Sequence, residues 1–90
     1  MNQVFKALSD STRREILRLL RERDMNAGEI ASHFDISKPS ISHHLNILRQ
    51  AKLVQVERNA QERIYSLNAT VVQEFLAELL EFFGGQTDEF

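Results

Sequence analysis

Hydrophobic positions along the chain fall into four narrow helical stripes, then an alternating stretch, then one wide stripe, and each pattern predicts an element. Over residues 2–8, Val4, Phe5 and Leu8 share one side of a short helix. Ser9 or Asp10 caps a second helix, Ser11 to about Glu22, whose buried stripe is Ile16, Leu17 and Leu20. Asn26, followed three residues later by Glu29, is a capping-box pair that opens a third helix, Ala27 to Phe34, with Ile30, Ala31 and Phe34 inward. A turn around Asp35 and Ile36 leads to Ser37, an N-cap, and to Pro39, whose missing N–H costs nothing in a first turn. Ile41, Leu45 and Leu48 then define the buried face of a fourth helix.

Beyond Ala51 the period changes. Lys52 stands where a glycine would usually end the helix in a left-handed conformation. Residues 53–57 and 63–67 are rich in β-branched and aromatic side chains and read as two strands. Residues 58–62 join them, with Asn59 the residue best suited to positive φ. A last helix, Thr70 to Phe83, follows, and residues 84–90 read as a frayed tail. A helix-turn-helix followed by a hairpin predicts a mainly α (α+β) winged helix-turn-helix, in the order α1-α2-α3-α4-β-hairpin-α5, as one domain over residues 1–83.

The last helix is too apolar to hide against so small a domain. Val72, Phe75, Leu76, Leu79 and Phe83, with Val4, Phe5 and Leu8 of the first helix, are the expected interface of a homodimer about a two-fold axis. The alternative is packing of this helix onto its own core.

Composition narrows the function. Ninety residues, 42% hydrophobic and 27% charged, describe one small soluble domain. No apolar run is long enough to span a membrane, the N-terminus lacks a signal-peptide layout, and the absence of cysteine excludes disulfides and thiolate metal sites. A cytoplasmic location is the expectation. Net charge is −2, yet residues 1–68 carry +3 and residues 69–90 carry −5, so the acidic part can point away from an anionic partner. No Gly-rich phosphate loop, nucleophile elbow or paired-carboxylate pocket is visible, so no enzyme and no cofactor is expected.

The outer face of the fourth helix presents Lys38, Ser40, Ser42, His43 and Asn46, slim polar groups near the positive end of the helix, and suits insertion into a major groove. Arg13, Arg14, Arg18 and Arg21 on the second helix are either phosphate contacts or a solvated face with ion pairs such as Arg18 with Glu22. Arg58 and Arg63 near the hairpin tip either reach a DNA backbone or minor groove or stand in a plain solvated turn, with Glu57 and Glu62 weakening their pull. His43 and His44 point about 100° apart on a helix and do not easily share one ion, and His33 reads as a surface residue, so no metal site is expected. A protein-interaction module is the rival function, but it would show apolar or acidic groups on the fourth helix. Lipid insertion is not expected, because the polar face of the last helix is acidic.

These residues resemble the ArsR/SmtB family of bacterial repressors, over roughly residues 4–83. Ala7-Leu8-Ser9-Asp10-Ser11-Thr12-Arg13-Arg14-Glu15-Ile16-Leu17 looks like its opening signature, Ser37 to Leu48 like its recognition helix, and Arg63-Ile64-Tyr65-Ser66-Leu67 like its second wing strand. The stretch Ser37-Lys38-Pro39-Ser40-Ile41-Ser42-His43-His44-Leu45-Asn46-Ile47-Leu48 is most similar to the SdpR-like branch. The resemblance implies a homodimeric repressor on a palindromic operator, regulating its own gene, with Ser37, Lys38, Pro39, Ser40, Ser42, His43 and His44 against DNA. Release from DNA is left open between a small molecule, a membrane protein that sequesters the repressor, as the resemblance suggests, a ligand or metal at an unrecognised site, and plain self-regulation of its own operon. Metal-sensing members use a cysteine pair on the third helix or Asp, His and Glu sets on the last. Neither set is present here. Ser11, Lys52 and Ala60 stand where the family pattern has proline, glycine and glycine.

Overall fold

A computed structural model describes residues 2–84. Its elements are α1 (Asn2–Leu8), α2 (Ser11–Glu22), β1 (Met25–Asn26), α3 (Ala27–Ala31), α4 (Lys38–Gln50), β2 (Val54–Asn59), β3 (Glu62–Leu67) and α5 (Ala69–Gly84). This is the winged helix-turn-helix that the pattern predicts. Of the expected tail, Gly84 closes α5, and the rest lies outside the described residues.

Local chemistry starts each helix. Asp10, rather than Ser9, caps α2 by accepting from the Arg13 amide at 3.1 Å, while the Ser9 hydroxyl donates to the Lys6 carbonyl at 2.7 Å and closes α1. The capping box of α3 is present in both directions: Asn26 Oδ1 accepts from the Glu29 amide at 2.7 Å, and Glu29 Oε1 accepts from the Asn26 amide at 2.9 Å. The helix is shorter than its periodicity predicts. It ends at Ala31, and His33 and Phe34 belong to the turn that follows. Asn68, a cap that the apolar period does not reveal, accepts from the Val71 amide at 3.3 Å and starts α5.

At the end of α4 the Leu53 amide reaches back to the Leu48 carbonyl at 3.1 Å and the Lys52 amide to that of Arg49 at 2.9 Å. This is a Schellman closure, and Lys52 takes the left-handed φ of 63° it demands. The buried pair Leu48 and Leu53 supplies the apolar contact that accompanies it.

The sheet has three antiparallel strands in the order β1-β3-β2. The two residues of β1 are too few to show alternation, so only the fold reveals them, with Met25 opposite Tyr65. The wing is tighter than expected. Its ladder extends to Asn59 opposite Glu62, which leaves a two-residue turn at Ala60 and Gln61. Positive φ therefore falls on Ala60, at 60°, and not on Asn59.

Ile16, Ile30, Ile41, Leu45 and Leu48 are the largest fully buried side chains, so α2, α3 and α4 meet at the centre. Each such burial is worth about 1.5–3 kcal/mol relative to exposure. The helix-turn-helix is thereby held rigid against the rest of the domain. α5 is joined to this core chiefly through Phe75, with Val71, Val72 and Leu79 partly covered.

Candidate nucleic-acid interface

The fourth helix is locked from behind by Ile41, Leu45 and Leu48, and its other side is open. Ser37, Lys38, Pro39, Ser40, Ser42, His43 and Asn46 are all exposed. Ser37 Oγ accepts from the Ser40 amide at 3.3 Å and donates to Ser40 Oγ at 3.0 Å. Since Pro39 has no N–H, the amide of Lys38 is left in the first turn to meet an anion, beside the ammonium group of the same residue. The positive end of this helix is thus narrower than a run of free amides would be.

His44 is drawn inward. Its side chain is 16% exposed, its Nδ1 lies 3.1 Å from Arg13 Nη1, and Asp10 Oδ2 is 3.8 Å away. The Arg13 side chain is the one buried charge in the described residues, 8% exposed, and it does not belong to the outer arginine face. Its Nε donates to the Ala7 carbonyl at 2.8 Å and its Nη2 to the Lys6 carbonyl at 3.0 Å. The other arginines of α2 form local contacts at the surface: Arg14 Nη1 donates to the Leu8 carbonyl at 2.7 Å, and Arg18 pairs with Glu15 at 3.7 Å instead of with Glu22. Arg21 stands 4.0 Å from Glu22.

Beside this network the Asp10 carboxyl feels opposing influences. Partial burial pushes it up. The Arg13 amide, the charge of His44 whenever its ring is protonated, the Arg13 guanidinium and the Thr12 amide together outweigh that and hold it below the ordinary carboxylate value. Glu29 is also lowered, first by the Asn26 amide and then by Arg23, whose Nη1 donates to it at 3.0 Å.

On the wing, Arg58 lies directly opposite Arg63. Both continue the face of the ribbon that carries Val54, Val56, Tyr65 and Leu67, whereas Glu57 and Glu62 occupy the other face. Glu62 is further held by Asn26 Nδ2 at 2.7 Å. The carboxylates that flank the arginines in sequence therefore stand across the sheet from them.

The profile of the family described as "Bacterial regulatory protein, arsR family" matches residues 10–56, which span the α2 cap, the helix-turn-helix and the first half of β2. The chain belongs to the ArsR family. It is 60% identical over 82 residues to the transcriptional repressor SdpR of Bacillus subtilis (strain 168), with 91% of each chain covered. It is 33% identical to the arsenical resistance operon repressor of Staphylococcus aureus, covering 88% of this chain and 76% of that one. Among solved structures, an ArsR-like transcriptional regulator from Rhodococcus sp. RHA1 superposes with a TM-score of 0.82 at 34% identity, over 98% of this chain and 82% of that one. The protein is a DNA-binding transcriptional regulator.

In this ArsR-family chain no three His, Asp or Glu side chains of the described residues gather where they could hold a metal ion. No described helix is long and apolar enough to cross a membrane. The expected interface residues divide into two groups. Val4 and Phe75 are buried within their own domain, and Leu8, Val72 and Leu79 are partly covered there. Phe5, Leu76 and Phe83 are exposed, together with Leu80 at 60% and Phe82 at 81%, two residues absent from the sequence-based set. Phe5, Phe75, Leu79, Phe82 and Phe83 line an open apolar groove between α1 and α5. Helical spacing marks the whole stripe as apolar but does not say which members the domain itself consumes.

Proposed function

We propose that this ArsR-family regulator is a repressor that binds a palindromic operator as a homodimer in the cytoplasm. The observation that carries the reading is the exposed, slim polar face of a rigidly seated α4, with Lys38, Ser40, Ser42, His43 and Asn46 outward. Side chains of that kind donate to and accept from base edges in a major groove, and Lys38 neutralises a phosphate. Arg58 and Arg63, on one face of the wing, add backbone contacts. The uncovered apolar side of α5, continued by Phe5, is closed by the same surface of a second copy. Two recognition helices then enter major grooves about one helical turn apart, or a multiple of it. The repressor names of the Bacillus and Staphylococcus relatives favour the same sign of regulation.

Operator selection from genomic DNA with the purified protein, followed by fluorescence anisotropy on the best site across a salt series, tests the reading. The expected result is a palindromic motif bound by a dimer, with much weaker binding to scrambled DNA. Weak, sequence-blind binding would overturn it and direct attention to protein partners of α4.

A further inference from the structure

The buried Arg13 reaches the recognition helix through one atom pair, and that pair fixes the chemistry of His44. A guanidinium has five N–H donors and no acceptor. The 3.1 Å contact between Arg13 Nη1 and His44 Nδ1 is a hydrogen bond only if Nδ1 offers its lone pair, which places the proton of the neutral ring on Nε2. Asp10 Oδ2, 3.8 Å from Nδ1, is the nearby carboxylate, and it is already engaged by the Arg13 amide at 3.1 Å. His43, the neighbour on α4, has its ring centroid 5.9 Å away. Nε2 itself has no hydrogen-bond partner among the described residues, and no buried side-chain nitrogen or oxygen there lacks one. Nε2 is therefore at least partly exposed, on a side chain that is itself 16% exposed.

We propose that Arg13 is a positioning residue for DNA recognition: it holds His44 as an outward Nε2–H donor, and that donor binds a phosphate oxygen of the operator backbone. The inference rests on the repressor reading above and adds to it a residue that touches no DNA. A phosphate is the partner because His44 is recessed beside the exposed Ser40, His43 and Asn46, and a recessed donor meets the strands that border the groove rather than the base edges within it. The guanidinium is anchored on two carbonyls in the last turn of α1, those of Lys6 and Ala7. The position of α1, and of the apolar face it shares with α5, is thus transmitted to the ring.

Two substitutions separate the two ends of the imidazole. His44→Asn keeps an acceptor near the place of Nδ1 and loses the outer donor. His44→Gln places an amide donor near Nε2 and leaves Arg13 without its acceptor. Melting temperature and operator affinity are measured for both, and for Arg13→Lys alone and combined with His44→Asn. The expected pattern is crossed. His44→Asn melts close to the wild type yet binds the operator about tenfold more weakly, the scale of one hydrogen bond to a charged group. His44→Gln melts lower but binds more tightly than His44→Asn. Arg13→Lys adds no further loss of affinity on top of His44→Asn. Operators carrying a neutral methylphosphonate at single positions should include one, in each half-site, at which wild type and His44→Asn bind equally. Affinities that simply follow the melting temperatures, or His44→Asn binding as well as the wild type, overturn the inference while specific operator binding by the wild type stands. A wild type with no operator preference overturns the repressor reading itself.

Discussion

The ring of Phe5 meets that of Phe75 edge to face, with centroids 5.4 Å apart and planes at 75°. This contact clamps the short first helix onto the long last one, and it does so at the edge of the uncovered apolar groove. One side of Phe75 belongs to the core and the other borders the surface that a second copy would cover. A substitution at Phe75 would therefore disturb folding and association together, and the partly covered Leu79 shares that defect. Leu80 is the cleaner probe, because it is exposed and contributes nothing to the domain's own core. Leu80→Glu should leave the melting temperature of the monomer unit nearly unchanged, convert the protein to monomers in sedimentation, and weaken operator binding sharply. A Leu80→Glu dimer with full affinity would place the interface elsewhere.

Two non-glycine residues hold left-handed backbone, Lys52 at φ 63° and Ala60 at φ 60°. An L side chain there costs on the order of 1–2 kcal/mol, partly offset in a glycine variant by the larger entropy of its unfolded chain. Lys52→Gly and Ala60→Gly should each raise the stability by about 1 kcal/mol in urea unfolding. The two sites share no contact, so the double variant should show the sum. Lys52→Gly also removes a cation from the end of α4, and the net gain there should be the smaller of the two.

Asp10 and Glu29 have folded-state pKa values below their ordinary ones of 3.8 and 4.5. For groups lowered in this way the unfolded chain binds protons first. Their stabilisation is therefore complete above the unfolded values and is lost as pH falls through the folded ones. Thermal melts should be level from neutral pH to about pH 5 as far as these two groups are concerned, and should decline below about pH 4. Asp10→Asn should flatten part of that acid limb. An unchanged acid limb in Asp10→Asn would assign the loss to other carboxylates.

Most of the architecture could be read from the residues, because the helices carry their signals locally. Asn26 with Glu29, Ser37 with Pro39, and the Ile41, Leu45 and Leu48 stripe each report a cap or a face without reference to the rest of the chain. What stayed hidden depends on long-range partners. The two residues of β1 become a strand only because Tyr65 and Ile64 lie beside them. The buried state of Arg13 depends on carbonyls six and seven residues earlier and on a histidine thirty-one residues later, so its sequence neighbours suggest a solvated face. The same limit applies to the wing. Glu57 and Glu62 flank the arginines along the chain, but strand alternation puts them on the opposite face once the register is set. For Arg13 and the wing the element was legible and the side chain's partner was not, whereas for β1 neither was.

Recognition by bases and recognition by backbone have different signatures, and the exposed residues of α4 and the wing separate them. In the proposed docking Ser40 and His43 read base edges, so replacing either with Ala should cost about 1–3 kcal/mol on the preferred operator and much less on scrambled DNA. Base preference at one position per half-site should relax. Arg58 and Arg63 stand opposite one another, like charges whose mutual repulsion an intervening phosphate would relieve. Arg58→Gln should weaken binding to every sequence alike and lower the slope of log affinity against log salt by about 1 per contacted phosphate. Because removing one arginine also relieves its repulsion with the other, the free protein should become slightly more stable. A salt slope and affinity unchanged in Arg58→Gln, alongside that gain in stability, would make the wing a solvated turn and leave recognition to α4.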